Sequence, residues 1–410
     1  MRVLLTGGGT GGHLFCGIAL AERLAQRQPA AEVLFLCTER PLDAEALARA
    51  GLPHQALACR PLKGMALRSL LAAVAGLPAA VLAAWRVMRA FGPEVAVGVG
   101  GYVTGPVLVA ARLAGIPTAI HEQNAVPGLT NRWLGRLVDR IFVSLPGSER
   151  QFAAGRTLLT GNPVRPALIA AAGQPREKAP GATLLVLGGS QGATRVNELV
   201  VAALRLGRQE LPPGFRLIHG TGQADLSRVR AAYADLGVSA RVEAFFTDMA
   251  EVYRQADLLI CRAGATTLAE ITLFGLPALF IPYPYAADDH QTRNARLVAG
   301  AGGGLVLPQA ELTPERLAEA LLALLREPAR LAAMGRATGS LARPEAADTI
   351  LDACQELAAQ RMTTRRASHH SRSSHHSPEN HESYGNQGNH GIKPTAAERL
   401  GKDRNRAPRS

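Results

Sequence analysis

Three glycine-rich turns in this chain stand where a strand-like run meets a helical one. The first is "LLTGGGTGGHLF", Leu4–Phe15, with five glycines in positions 7–12 and a histidine, His13, directly after them. Glycine admits backbone angles closed to other residues and lets a ligand approach the main chain. Between the apolar "VLL" and the helical pattern "CGIALAERLA", such a loop can turn free N–H groups toward a phosphate or another anion. Gly7, Gly9 and Gly12 also satisfy G-x-G-x-x-G, the dinucleotide fingerprint, as would a tight turn that binds nothing. The second turn is "GVGGYVTGP" at 98–106, with Gly100, Gly101, Tyr102 and Gly105. The third is "LGGSQGA" at 187–193, with Ser190. A nicotinamide-dinucleotide-linked oxidoreductase, with Glu39 as the acid near the second strand, explains the first loop and leaves the others idle. Three loops spread over two halves suit a cleft that grips two phosphate-bearing molecules, one per domain.

A fourth unit is "CRAGATTLAEITLFGLPALFIPYPYAADDHQTRNA", 261–295. A strand ends at Cys261 and a helix is expected near Thr266, its exposed N–H groups on the ligand side of an open α/β sheet. The segment from Ala265 to Thr267 can hold a diphosphate without a metal. Glu270, one turn into the helix, can accept both hydroxyls of a ribose diol, or it can be a plain surface glutamate. Gln291 is within reach of a sugar hydroxyl, and Asp288 and Asp289 read either as contacts or as helix capping. Arg165, in "GNPVR", is a further contact from the cleft wall. In "AIHEQNAVPGLTNRWLGR", His121, Glu122 and Asn124 follow a strand, where His and Glu are acid–base groups or a structural hydrogen-bond corner.

These turns need strands and helices to place them. "RVLLT", "AEVLFLC", "EVAVGVG", "PTAIHE" and "RIFVS" alternate with Ala/Leu-rich stretches of helical spacing, the pattern of βα units around a parallel sheet. The order restarts at "ATLLVLGGSQGATRVNELVVAAL" and continues through "FRLIHGTG", "RVEAFF", "DLLICRAG", "PALFIPYP" and "GGGLVLP". The expected class is α/β, with two Rossmann-like halves joined near 158–181. The divisions are 1–160, 161–340, a last amphipathic helix over 341–360, and a tail over 361–410. That tail has ten Lys/Arg against four Asp/Glu and six of the eleven histidines, with almost no large apolar residues, so disorder is expected there.

Composition narrows the class. The net charge is +12, half of it in the tail, and aromatics are 4% of residues. That distribution argues against a basic nucleic-acid-binding protein, which wants a basic stripe with stacking aromatics. The five cysteines form no C-x-x-C pair, which argues against a disulfide framework or zinc site and for a reducing compartment. "MRVLLTGGG" is too short in its apolar part for a signal peptide. "SLLAAVAGLPAAVLAAW", Ser69–Trp85, carries no charge and is flanked by Lys63, Arg68, Arg86 and Arg89. It is either a packed helix or a face for an anionic bilayer interface.

Together, "GGTGGH", "GGYVTGP", "HEQNAVPGLTNRWL", "TGNPVR", "GGSQGA", "RAGATTLAE" and "PYPYAADDHQTRNA" resemble the MurG family, from Met1 to about Gln360. These are the UDP-GlcNAc transferases that convert lipid I to lipid II in bacterial peptidoglycan synthesis. The resemblance implies a GT-B glycosyltransferase fold: two Rossmann-like domains, an interdomain cleft, and a last helix that returns to the N-terminal domain. It implies an inverting transfer of GlcNAc from UDP-GlcNAc to the MurNAc 4-hydroxyl of undecaprenyl-pyrophosphoryl-MurNAc-pentapeptide, with no cofactor, no metal and no nucleic acid. It further implies a peripheral location at the cytoplasmic face of the cell membrane, on an anionic surface. Carried over by position, the donor contacts are Thr10, Gly11, Gly12, Asn124, Arg165, Ser190, Phe246, Ala265, Thr266, Thr267, Leu268, Ala269, Glu270 and Gln291. The glycine loop Gly100, Gly101, Tyr102 and Gly105 falls on the acceptor side, and His13 and Glu122 are the catalytic candidates. Cys16 stands where the family usually has Pro, at a position read as a helix start, with little expected effect.

Overall fold

The computed structural model describes residues 1–60, 67–175, 180–189 and 192–373, with the side chains of 67–74 and 364–373 left undescribed. Two parallel sheets organise the chain. The first contains β1 (Arg2–Gly7), β2 (Glu32–Cys37), β3 (His54–Ala56), β4 (Val95–Gly100), β5 (Thr118–Glu122), β6 (Arg140–Val143) and β7 (Thr157–Leu159), in the order β3-β2-β1-β4-β5-β6-β7. The second contains β8 (Thr183–Leu187), β9 (Arg216–Gly220), β10 (Ala240–Glu243), β11 (Leu258–Cys261), β12 (Ala278–Phe280) and β13 (Gly304–Val306), in the order β10-β9-β8-β11-β12-β13. Each apolar run read from the sequence is one of these strands. β3 and β7 are additional three-residue strands at the two edges of the first sheet.

Each sheet reverses its winding once, between β1 and β4 and between β8 and β11. In an open α/β sheet the crevice forms at that reversal, beyond the carboxyl ends of the strands. The loops after those four strands are the three glycine turns and the small-residue turn after Cys261. Their glycines meet real steric limits. Gly101 has φ +91°, and a Cβ there would lie 2.3 Å from the carbonyl oxygen of Gly8.

The central strands β4, β5 and β11 are buried along their whole length, as continuous apolar runs in parallel sheets are. Val3, Leu5, Phe35 and Val97 face one layer of the first sheet, where the helix Gly11–Arg27 packs. The last helix, Ala346–Ser373, completes that layer with Ile350, Leu351 and Cys354. It begins after the second sheet is finished, so the chain returns to its first domain. Arg23 and Arg27 meet Asp348 at 2.9 and 3.2 Å, and Arg361 donates to the Ala114 carbonyl at 3.2 Å. This helix runs past Arg361, where a disordered tail is expected, and on to Ser373. The rest of that tail lies outside the described residues.

The helix Leu67–Phe91 contains Pro78 and holds Ser69–Trp85. It buries Ala80, Ala84 and Met88, spaced four apart, against the other face of the first sheet. Leu82 is 46% exposed, Arg86 and Arg89 are exposed beside it, and Arg89 lies over the Trp85 ring at 5.0 Å. Among the described residues, no helix is long and apolar enough to cross a membrane. Lys63 lies outside the described residues, as do the side chains of Arg68 and of 69–74.

Two buried histidines mark polar joints. His219 lies 2.7 Å from the Tyr233 hydroxyl and 3.0 Å from Asn197 Oδ1. Asn197 in turn donates to Asp225 and to the Thr221 carbonyl. His121 lies 3.0 Å from the Gly161 carbonyl, with Ser144, Gln123 and Cys16 around its ring nitrogens. Desolvation pulls the pKa of His121 down to about 4 and that of His219 down to about 3. In the unfolded chain both titrate near 6.5, so below that pH the unfolded state binds protons that the native state refuses. Their contribution to stability is therefore complete above about pH 6.5 and lost as pH falls toward 4. Urea titrations from pH 7.5 to 5 should show stability falling by up to about 2.7 kcal/mol per pH unit from this pair near the acidic end. His219→Gln should remove about half of that slope.

Candidate active site

Two helix N-termini meet between the sheets. The helix expected from Cys16 begins at Gly11, so Gly11, Gly12 and His13 form its first turn and Cys16 is its sixth residue. The position of Cys16 is thus inside the helix and not at its start. Its buried thiol lies 3.2 Å from His121 Nδ1. Across the cleft, the helix Ala265–Leu273 starts after the extended Gly264. Thr266 Oγ1 donates to the Gly12 carbonyl at 3.3 Å, joining the two first turns. Both carry unpaired N–H groups and the positive end of a helix dipole.

A cavity of about 980 Å³, including its open mouth, is lined by Gly11, Gly12, Arg165, Phe246, Ala265–Thr267 and Glu270. The sequence assigned these positions to one ligand, and the fold gathers them from both domains. Tyr253 donates its hydroxyl to Glu270 Oε2 at 2.7 Å. Burial pushes the Glu270 carboxyl above its ordinary range, opposed by that bond and by the charge of Arg165. Phe246 is 3% exposed, with the Arg241 guanidinium 5.3 Å from its ring centre. Tyr253 also lines the cavity and carried no sequence signal, because only tertiary packing brings its hydroxyl to Glu270.

Other assigned residues fall elsewhere. Leu268 and Ala269 lie on the opposite side of the same helix, where they line a separate cavity with Asn162, Val164 and Leu297. Their side chains are therefore removed from the front cleft, since consecutive helical residues turn about 100°. Gln291 uses its Oε1 to accept from the Tyr283 backbone at 2.9 Å, closing the loop before its helix. Asp288 and Asp289 adopt left-handed backbone, φ 54° and 52°, and Asp289 precedes that helix with no side-chain capping bond. Ser190 lies outside the described residues.

His13 is held by its own loop and the second glycine turn. Its Nδ1 is 3.0 Å from Thr10 Oγ1. Gly100, at φ +106°, admits the ring, since a Cβ there would lie 2.6 Å from His13 Cδ2. Tyr102 packs against Gly9, and Gly105 sits in the helix Thr104–Leu113 facing Thr130. Desolvation holds His13 below the ordinary histidine range, offset in part by the charge of Glu122. A neutral imidazole at neutral pH follows.

Glu122 is placed differently. It is 2% exposed and accepts four hydrogen bonds from its own loop. Oε1 takes the Asn124 backbone and side-chain N–H groups at 3.0 and 3.3 Å, and Oε2 takes Gly128 N at 3.1 Å and Asn131 Nδ2 at 2.8 Å. With both oxygens engaged, Glu122 organises the 122–131 turn and presents Asn124. The sequence missed the partner on the far side. Buried Asn294 accepts from Ala125 N at 2.9 Å and donates to Asn124 Oδ1 and the Ala263 carbonyl, both at 3.1 Å. One carboxamide thus ties the two domains beside the cleft.

The chain matches the glycosyltransferase family 28 N-terminal domain over 3–143 and the glycosyltransferase family 28 C-terminal domain over 183–350. It is 48% identical, over 87% of its length and 96% of the relative's, to a protein of Desulfotalea psychrophila. That protein is named UDP-N-acetylglucosamine--N-acetylmuramyl-(pentapeptide) pyrophosphoryl-undecaprenol N-acetylglucosamine transferase. A similarly named protein of Nitratidesulfovibrio vulgaris is 46% identical over 88% of this chain and 98% of the relative. Among solved structures, Acinetobacter baumannii MurG superposes with a TM-score of 0.71 at 33% identity, covering 87% of this chain and 99% of that one. A UDP-GlcNAc 2-epimerase from Neisseria meningitidis, at 14% identity and TM-score 0.62 over 87% of this chain and 100% of that one, shares the fold. The oxidoreductase and nucleic-acid alternatives find no support in these relatives. With two Rossmann-type sheets facing one cleft in a GT-B arrangement, and with such relatives along most of its length, this chain belongs to the MurG family of glycosyltransferases.

Proposed function

We propose that this chain transfers GlcNAc from UDP-GlcNAc to the MurNAc 4-hydroxyl of undecaprenyl-pyrophosphoryl-MurNAc-pentapeptide, with inversion at the anomeric carbon. The observation that carries this reading is the single cavity lined by the first turns of two helices from opposite domains. A nucleoside diphosphate needs a base pocket, a diol acceptor and a positive site for its phosphates. The Phe246 end of the cavity supplies the first, Glu270 the second, and the paired helix N-termini with Arg165 the third. The same positive groups stabilise UDP as it leaves.

The acceptor hydroxyl must lose a proton as it attacks. We assign this to His13, which is held neutral with Nδ1 beside Thr10 in the first turn of the N-domain helix. Glu122, with four donors on its carboxylate, supports the turn that presents Asn124. The acceptor's polyprenyl chain stays in a bilayer, and the exposed face of Leu67–Phe91, with Leu82, Arg86 and Arg89, suits an anionic membrane surface. The reading places the enzyme peripherally at the cytoplasmic face.

UDP-GlcNAc should raise the thermal midpoint while NAD and a single-stranded oligonucleotide leave it unchanged; a shift with NAD alone overturns the reading. In single turnover, His13→Ala should slow the chemical step by roughly 10²–10⁴-fold. A near-normal rate removes His13 as the base. Glu122→Gln places an amide against N–H donors and should cost about 1–3 kcal/mol of stability in urea unfolding, with less effect on the chemical step than His13→Ala. Leu82→Gln combined with Arg86→Glu should weaken binding to anionic phosphatidylglycerol vesicles and spare turnover of a short-chain acceptor; unchanged vesicle binding sinks the membrane assignment.

A further inference from the structure

The loop bearing His13 is gripped from outside the cleft by an element that the proposed reaction does not otherwise use. Asp43, in the first turn of the helix Pro41–Arg49, is 5% exposed. Its Oδ2 accepts from Gly9 N at 2.8 Å and from Thr38 Oγ1 at 2.5 Å. Arg40, just before that helix, donates to the carbonyl of Gly9. A single glycine in the loop is thus held at its N–H by a carboxylate and at its C=O by a guanidinium. Gly8 is required beneath this grip. At φ +141° its missing Cβ would fall 2.3 Å from Asp43 Oδ2.

We infer that Asp43, assisted by Arg40, is a positioning residue for His13: by holding Gly9 it fixes the loop in the form where the adjoining Thr10 orients the imidazole. The inference rests on the proposed role of His13 as the base. The glycines then have a purpose distinct from phosphate binding. The N–H of Gly9 is committed to a carboxylate and is not free for an anion, so anion contacts begin at the helix start, Gly11 and Gly12. Asp43 also adds negative charge near the ring. The other ionisable groups facing His13 are Glu122 from β5, His290 at the start of the helix His290–Gly300, and His121. Asp43 and Glu122 favour the imidazolium, while the two histidines oppose it.

The test uses the full chain labelled with ¹³C-histidine, with the His13 Cε1–H signal assigned by its loss in His13→Ala. Asp43→Asn keeps the shape and removes the charge, so the His13 pKa should fall. The acidic limb of kcat/KM should move with it, while UDP affinity stays within about twofold of the parent, since Asp43 does not line the cavity itself. Arg40→Gln, at an exposed position, keeps the carboxylate and releases the Gly9 carbonyl. It should lower kcat by about threefold or more without changing the affinity for UDP. A His13 pKa unchanged in Asp43→Asn, or UDP affinity falling as steeply as kcat, overturns the inference. If Asp43→Asn does not fold, Arg40→Gln decides, and parental kcat there also overturns it. A normal chemical step in His13→Ala would instead remove the proposed base, while the titration of His13 still reports on Asp43.

Discussion

The first turn of Gly11–Arg27 meets the first turn of Ala265–Leu273 across the cleft, where Thr266 donates to the Gly12 carbonyl. Neither turn can complete its own backbone hydrogen bonding, because the first N–H groups of a helix have no carbonyl behind them. Bringing two such ends to one cavity concentrates positive potential where a diphosphate can be held and released. The rest of the molecule serves that meeting. Each sheet reverses its order beside the strand that feeds its helix, and the chain returns at its end to cover the first sheet.

Buried polar side chains set the alignment of the two domains. Asn294 uses its carbonyl and its amine on partners from both sides of the cleft, and Asn124 is shared between Asn294 and Glu122. Interior amides and carboxylates are tolerated only when paired, so each such group accepts few alternative arrangements. The same logic governs the second domain, where His219, Asn197 and Asp225 brace the turn after β9 against the helix Thr194–Gly207. Glu270 and His13 differ in kind: burial pushes each one way and neighbouring charges push it the other.

Much of the fold was legible because buried parallel strands are nearly pure apolar runs, and "RVLLT", "EVAVGVG" and "DLLICRAG" have no other good use. The edge strands β3 and β7 were not legible. "HQA" and "TLL" are too short for a period and pair because a neighbouring edge is free. The helix start at Gly11 was also hidden, since glycines carry poor helical propensity and read as loop. In the structure that turn is flanked by tertiary contacts: Thr266 donates to the Gly12 carbonyl and Gly100 admits the His13 ring.

What the sequence determined by itself is the set of parts: the parallel α/β class, the two halves, the turns at the strand ends and candidate ligand residues such as Arg165 and Glu270. Those follow from local pattern and from residue chemistry at fixed spacing. Which face each residue presents was left to the tertiary structure. It turned Leu268 and Ala269 to the back of a helix whose front carries Thr266 and Glu270. It engaged both oxygens of Glu122 and set the His13 ring between Thr10 and Gly100. It also joined Asn294 to Asn124 across a sequence separation of 170 residues. The reason is physical. Spacing along a chain fixes neighbours within a turn or a strand, whereas a hydrogen-bond partner from another domain exists only once both sheets have packed.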